Sequence, residues 1–121
     1  MQVLAKINLS DSESTAKSAV SYRSGDNFVS AYLAEPSGEG RHPAIILIHE
    51  WWGLTNWVKQ QAQRYAVQGY VALAVDLYRG KVGTTRREAR SLLRNLPDDR
   101  ALQDLEAAFA YFITRPNRHY S

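Results

Sequence analysis

The stretch that most constrains this chain is Ala44-Ile45-Ile46-Leu47-Ile48-His49-Glu50-Trp51-Trp52-Gly53. An apolar run follows Pro43 and stops abruptly at His49 and Glu50. A short, β-branched-rich run bounded by turn signals predicts a strand buried on both faces, which is the habit of parallel sheets. The carboxylate and imidazole that end it then stand at the C-terminal edge of the sheet. That edge is where open α/β sheets bind ligands.

The flanking sequence fits an α/β domain. Residues 1–15 are polar and serine-rich, an extended lead-in, and the domain proper is expected over residues 16–121. Residues 17–35 read as a β-hairpin turning at Ser24-Gly25-Asp26-Asn27. Residues 36–43 form a Gly/Pro-rich link. After the pivotal strand, Thr55 or Asn56 caps a helix from about Trp57 to Gln68 that buries Val58, Ala62, Tyr65 and Ala66, and Gly69 ends it. Tyr70 to Val75 is a second apolar strand and ends in Asp76. Strand, helix and strand within residues 44–76 make a βαβ unit, parallel and right-handed.

Thr85-Arg86-Arg87-Glu88 has capping-box spacing and opens a short helix to about Asn95, with Ala89, Leu92 and Leu93 facing inward. A longer helix runs to about Thr114, with Leu102, Leu105, Phe109, Phe112 and Ile113 on its inner face and Pro116 closing it. Arg86, Arg87, Arg90 and Arg94 form a stripe of one sign on a chain of net charge +3. No aromatic interleaving or nucleic-acid motif accompanies them, so the stripe reads as a solvated face.

Composition excludes several classes. With 121 residues the chain is one domain or part of one, and 45% apolar with 22% charged residues is ordinary for a soluble globular protein. No apolar run approaches the roughly 20 residues of a membrane span, and no signal-peptide pattern opens the sequence. The absence of cysteine removes disulfides, thiolate metal sites and a cysteine nucleophile from these residues. No metal or cofactor is expected, and a cytoplasmic location is the default.

The chemistry-bearing residues converge on the sheet edge: Glu50 from one parallel strand, Asp76 and Arg79 from its expected neighbour. A structural reading, in which Glu50 pairs with Arg79 and Trp51 and Trp52 cap the core, stays open on spacing alone. Three further features carry a likeness. His49-Glu50-Trp51-Trp52-Gly53, Gly69-Tyr70-Val71-Ala72 and Asp76-Leu77-Tyr78-Arg79-Gly80 resemble the N-terminal half of the dienelactone hydrolase family, a branch of the α/β-hydrolase fold. Asp104-Leu105-Glu106-Ala107-Ala108 followed by Arg115-Pro116 resembles the segment that precedes the family's nucleophile strand.

The resemblance implies roles. Trp51 would give a backbone N–H to an oxyanion hole. Glu50 would lie beside the nucleophile and influence its ionisation. Arg79 would help hold a substrate carboxylate, with Trp52 and Tyr78 also at the substrate, although the family's better-known pattern sets its arginine one residue later. The family's triad of cysteine or serine, aspartate and histidine comes from its second half, and the sequence stops at Ser121 before that point. No residue substitutes: His42 precedes the pivotal strand, His119 and Ser121 sit in the terminal tail, and His49 reads as a hydrogen-bonded structural histidine. The 121-residue chain alone is therefore expected to be inactive.

By analogy with the α/β-hydrolase order, the two hairpin strands are followed across the sheet by the second parallel strand and then the pivotal one. Residues 44–48 become an open edge, a template for another strand. Self-association or a complementing C-terminal half is expected there. Three readings compete: an esterase or lactonase acting on small carboxylate-bearing substrates, a non-catalytic module binding a small acidic ligand, and, more weakly, a basic binder of nucleic acid or acidic protein.

Overall fold

The computed structural model describes residues 2–3, 15–37 and 40–115. In chain order the elements are β1 (Gln2–Val3), β2 (Thr15–Ser24), β3 (Asn27–Pro36), β4 (Ala44–Ile48), α1 (Asn56–Val67), β5 (Val71–Val75), α2 (Arg86–Arg94) and α3 (Asp98–Thr114). They build one mixed sheet in the order β1-β4-β5-β3-β2. β4 and β5 are parallel, and every other pairing is antiparallel. The expected α/β class and the expected order of the four long strands are what the chain adopts.

β4 and β5 are covered on both faces, as their unbroken apolar sequence requires. Ile45, Leu47, Ala72 and Ala74 pack beneath α1, against Val58, Ala62 and Ala66. Ile46, Val71, Leu73 and Val75 point the other way, into a core shared with the hairpin and with Ala108 and Phe112 of α3. Alanines stand on both sides of this layer, Ala62 and Ala66 of α1 facing Ala72 and Ala74 of β5. Ala74→Leu should therefore overpack this layer and lower the unfolding free energy by about 1–3 kcal/mol in urea denaturation. A loss within the scatter of surface substitutions would mean the layer has room to spare.

Local signals held where they were strong. Gly25 takes a positive φ of 61° at the two-residue hairpin turn. The Thr55 side chain caps α1 by accepting from the Val58 N–H, and Thr85 caps α2 by accepting from the Glu88 N–H. The Glu88 carboxylate accepts from the Thr84 hydroxyl, and this bond lowers its pKa. Arg86, Arg87, Arg90 and Arg94 are exposed, as the solvated-face reading expects.

Three expectations fail, wholly or in part. The edge of β4 is not wholly open: Gln2 and Val3 pair with Ile48 and Leu47 and cover its C-terminal end. Leu93 is exposed rather than inward. α3 is only partly as expected: Phe112 is buried and Leu105 packs against the core, but Leu102, Phe109 and Ile113 are exposed, Ile113 at 64%, and Asp104 and Ala108 face inward. The inner stripe is the one carrying Asp104, whose carboxylate is held by Arg79 and the Ser24 hydroxyl. His119, Ser121 and Pro116 lie outside the described residues. No helix among the described residues is long and apolar enough to cross a membrane.

Candidate functional site

The parallel register sets Ile48 opposite Val75. The loops after β4 and β5 therefore leave the sheet at the same rim, and Glu50 and Arg79 belong to one edge. His42 is at the other end, its Nδ1 3.1 Å from the Gly69 carbonyl.

His49 joins the two loops. Its buried Nε2 accepts from the Leu77 N–H at 3.1 Å, so the ring proton resides on Nδ1. Nδ1–H donates to the Glu50 carbonyl at 2.7 Å. The ring lies edge-on to Tyr78 with centroids 4.7 Å apart. Burial lowers its pKa from 6.5, opposed by the Glu50 carbonyl and by Asp76. An imidazole held neutral makes the fold lose stability in acid. Above the unfolded-state value of 6.5 its contribution is complete. As pH falls below that value the unfolded chain takes up a proton that the folded ring refuses. Thermal melts between pH 7.5 and pH 5.5 should show a decline that His49→Gln removes; an equal decline in the variant would assign it to other groups.

The Glu50 carbonyl also accepts from the Gly53 N–H at 3.1 Å, and the Trp52 carbonyl from the Gly83 N–H at 2.9 Å. Gly53 has φ +100°, and a Cβ there would stand 2.7 Å from the Lys81 carbonyl oxygen. Only glycine lets the two rim loops approach this closely. Trp51 and Trp52 are half-buried, their rings T-shaped at 5.4 Å, and Glu50 is exposed. Among the described residues the Trp51 N–H has no intramolecular acceptor.

The loop after β5 is shaped by its own acid. Asp76 accepts from the Tyr78 N–H at 3.0 Å and from the Gly80 N–H at 2.7 Å. That tight wrap puts Arg79 at φ +54°, a conformation non-glycine residues seldom take. Its guanidinium is not held free at the rim, nor given to Glu50. It makes a forked pair with Asp104, 2.9 Å from Nη2 to Oδ1 and 3.2 Å to Oδ2. Asp104 is wholly buried and also accepts from the Ser24 hydroxyl at 2.6 Å. The pairing has an energetic reason: a buried carboxylate demands a cation, and Arg79 supplies it. Tyr78, expected at the substrate, is buried, its ring against His49 and beside Gly53.

Sequence reasoning missed Asp104, Ser24 and Arg100, whose Nη2 donates to the Leu77 carbonyl at 2.9 Å. A signal existed for Asp104, which stands in helical phase with Ala108 and Phe112. A surface cleft of about 490 Å³ lies beside the rim, between Lys81, Val82 and the α2 residues Arg87, Glu88, Ser91 and Leu92. None of residues 49–53 lines it. No group of three or more potential metal-ligating side chains occurs among the described residues.

What the rim can do chemically is present an unsatisfied backbone donor beside a carboxylate, over loops locked from beneath. Residues 29–121 match the model of the dienelactone hydrolase family. A putative carboxymethylenebutenolidase of Synechocystis is 33% identical over 97 residues, covering 74% of this chain and 39% of that protein. Protein usf of Aquifex pyrophilus is 36% identical over 84 residues, covering 67% and 35% respectively. The crystal structure of a putative dienelactone hydrolase from Klebsiella pneumoniae superposes with TM-score 0.73 at 25% identity, over 82% of this chain and 44% of that one. The chain thus spans well under half the length of these relatives. With its family model matched from β3 onward and its sheet superposing on the N-terminal part of a solved neighbour, this chain belongs to the dienelactone hydrolase family.

Proposed function

We propose that these residues form the oxyanion-donating half of a hydrolase acting on ester or lactone bonds of small carboxylate-bearing substrates. The Trp51 N–H is the donor to the developing oxyanion, Glu50 is the acid beside the nucleophile, and Trp52 borders the substrate. The nucleophile and its histidine and aspartate come from outside the 121 residues. The observation that carries this reading is the unaccepted Trp51 N–H at the parallel rim, on a peptide whose carbonyl is held from below by His49 and Gly53. The names of the Synechocystis and other relatives support the reaction class.

Hydrolysis of p-nitrophenyl acetate tests it. The chain alone should give no rate above a buffer blank. Joined to the C-terminal part of its Synechocystis relative, it should turn over, and Trp51→Pro in the joined protein should lower kcat by about 10²–10³-fold, the usual effect of losing one oxyanion donor. A rate from the chain alone ends the split-site reading, and an unchanged kcat removes Trp51 from its role.

The partner surface follows from the same incompleteness. Among the described residues β1 pairs with Leu47 and Ile48, and α3 exposes Leu102, Phe109 and Ile113. A complementing half, or a second copy, covers the remaining edge of β4. Light scattering on the purified chain should give a mass above 13.7 kDa; a clean, stable monomer at that mass would defeat the proposal.

A further inference from the structure

We propose that His49 is a positioning residue that aims the Trp51 N–H by holding the other end of the same peptide. The inference rests on the role given to Trp51 above. A trans peptide is a rigid plane in which C=O and N–H point in opposite directions, and the described chain contains no cis bond. Whatever fixes the direction of the Glu50 carbonyl therefore fixes that of the Trp51 N–H. Two donors fix it: His49 Nδ1 at 2.7 Å and the Gly53 N–H at 3.1 Å. Both lie on the protein side, so the N–H turns away from them, toward the rim.

The imidazole can do this only as the Nδ1–H tautomer, and the second ring nitrogen enforces that form. Nε2 accepts from the Leu77 N–H. Leu77 is itself held, since its carbonyl accepts from Arg100 of α3. A continuous set of bonds thus runs from α3 through the β5 loop and the His49 ring to the Glu50–Trp51 peptide. The loop after β4 is indexed to the loop after β5, the element that also carries Asp76 and Arg79. A histidine placed merely to fill space beside Tyr78 would need neither bond.

The side-chain geometry offers a clean dissection. In His49→Asn the side-chain amide nitrogen occupies the place of Nδ1 and keeps the bond to Glu50. In His49→Gln the longer amide reaches the place of Nε2 and keeps only the bond to Leu77. NMR on the 121-residue chain reads the peptide directly, through the Glu50 carbonyl carbon and the Trp51 amide nitrogen. The asparagine variant should keep the wild-type shifts of both nuclei, and the glutamine variant should displace both. In the wild-type protein, long-range ¹⁵N–¹H correlation should report the Nδ1–H tautomer. The proposal is overturned if the wild-type ring is the Nε2–H tautomer, which needs no variant to fold. It is equally overturned if glutamine leaves the Glu50 and Trp51 shifts in place, or asparagine moves them as far as glutamine does. These readouts concern the orientation of one peptide and are independent of turnover. A failed hydrolysis assay with the expected shifts would discard the oxyanion role and leave the positioning intact, whereas the converse would discard only His49.

Discussion

Arg79→Met is expected to lower the unfolding free energy by about 3–5 kcal/mol, the range for breaking a buried ion pair by removing one partner. The pair qualifies because Asp104 is wholly buried and the Arg79 side chain is only 23% exposed. What remains for Asp104 is the Ser24 hydroxyl, one donor for a carboxylate that can accept several bonds. Urea titrations at pH 7.5 should show this deficit. Pairing Arg79→Met with Asp104→Leu should recover most of the loss, since apolar replacement of a buried pair is often neutral or better. A deficit below about 0.5 kcal/mol at neutral pH would class the pair with surface ion pairs.

Gly53→Ala is the second large expected effect, and it strikes the rim itself. A φ of +100° strains any residue with a Cβ, and that Cβ would meet the Lys81 carbonyl oxygen at 2.7 Å. Backbone strain of this kind costs about 1–3 kcal/mol, and relief of the clash by overpacking adds about 1–3 kcal/mol. The oxygen is main-chain, so it yields only by displacing the whole 81–83 segment. Because the Gly53 N–H also holds the Glu50 carbonyl, the Trp51 amide resonance should move along with the loss of stability. A variant with wild-type melting and an unmoved Trp51 amide would show that the two loops are not packed this closely. Gly80, whose added Cβ would meet nothing within 4 Å, is the control for positive φ without the clash.

The contrast between the two helices flanking the main core layers shows where sequence reading works. α1 buries Val58, Ala62 and Ala66 as expected, because its apolar residues recur in phase and face a continuous apolar strand pair. α3 offered a richer stripe of Leu102, Leu105, Phe109, Phe112 and Ile113, of which Phe112 and Leu105 reach the core while Leu102, Phe109 and Ile113 are outside. Periodicity counts apolar side chains and assigns no weight to a buried carboxylate that needs a cation. The need of Asp104 for Arg79, 25 positions away in sequence, is a contact that no local window contains. Likewise the motif around Glu50 and Trp51 was legible, but the use of His49 as a two-sided clasp depends on Leu77 arriving from β5.

Sequence alone determined the βαβ unit and the shared rim that holds Glu50 and Arg79, while the order of the four long strands came from the family resemblance. Unbroken apolar runs admit only strands covered on both faces, and a parallel pair must deliver its loop residues to one end. Tertiary structure decided which side chains at that rim are available and which serve as anchors. Those choices are made by desolvation. Asp104 inside the fold claims the arginine, and the neutral His49 ring takes the Leu77 N–H on one nitrogen and gives its proton to Glu50 from the other. Neither pairing exists until the chain has closed around it.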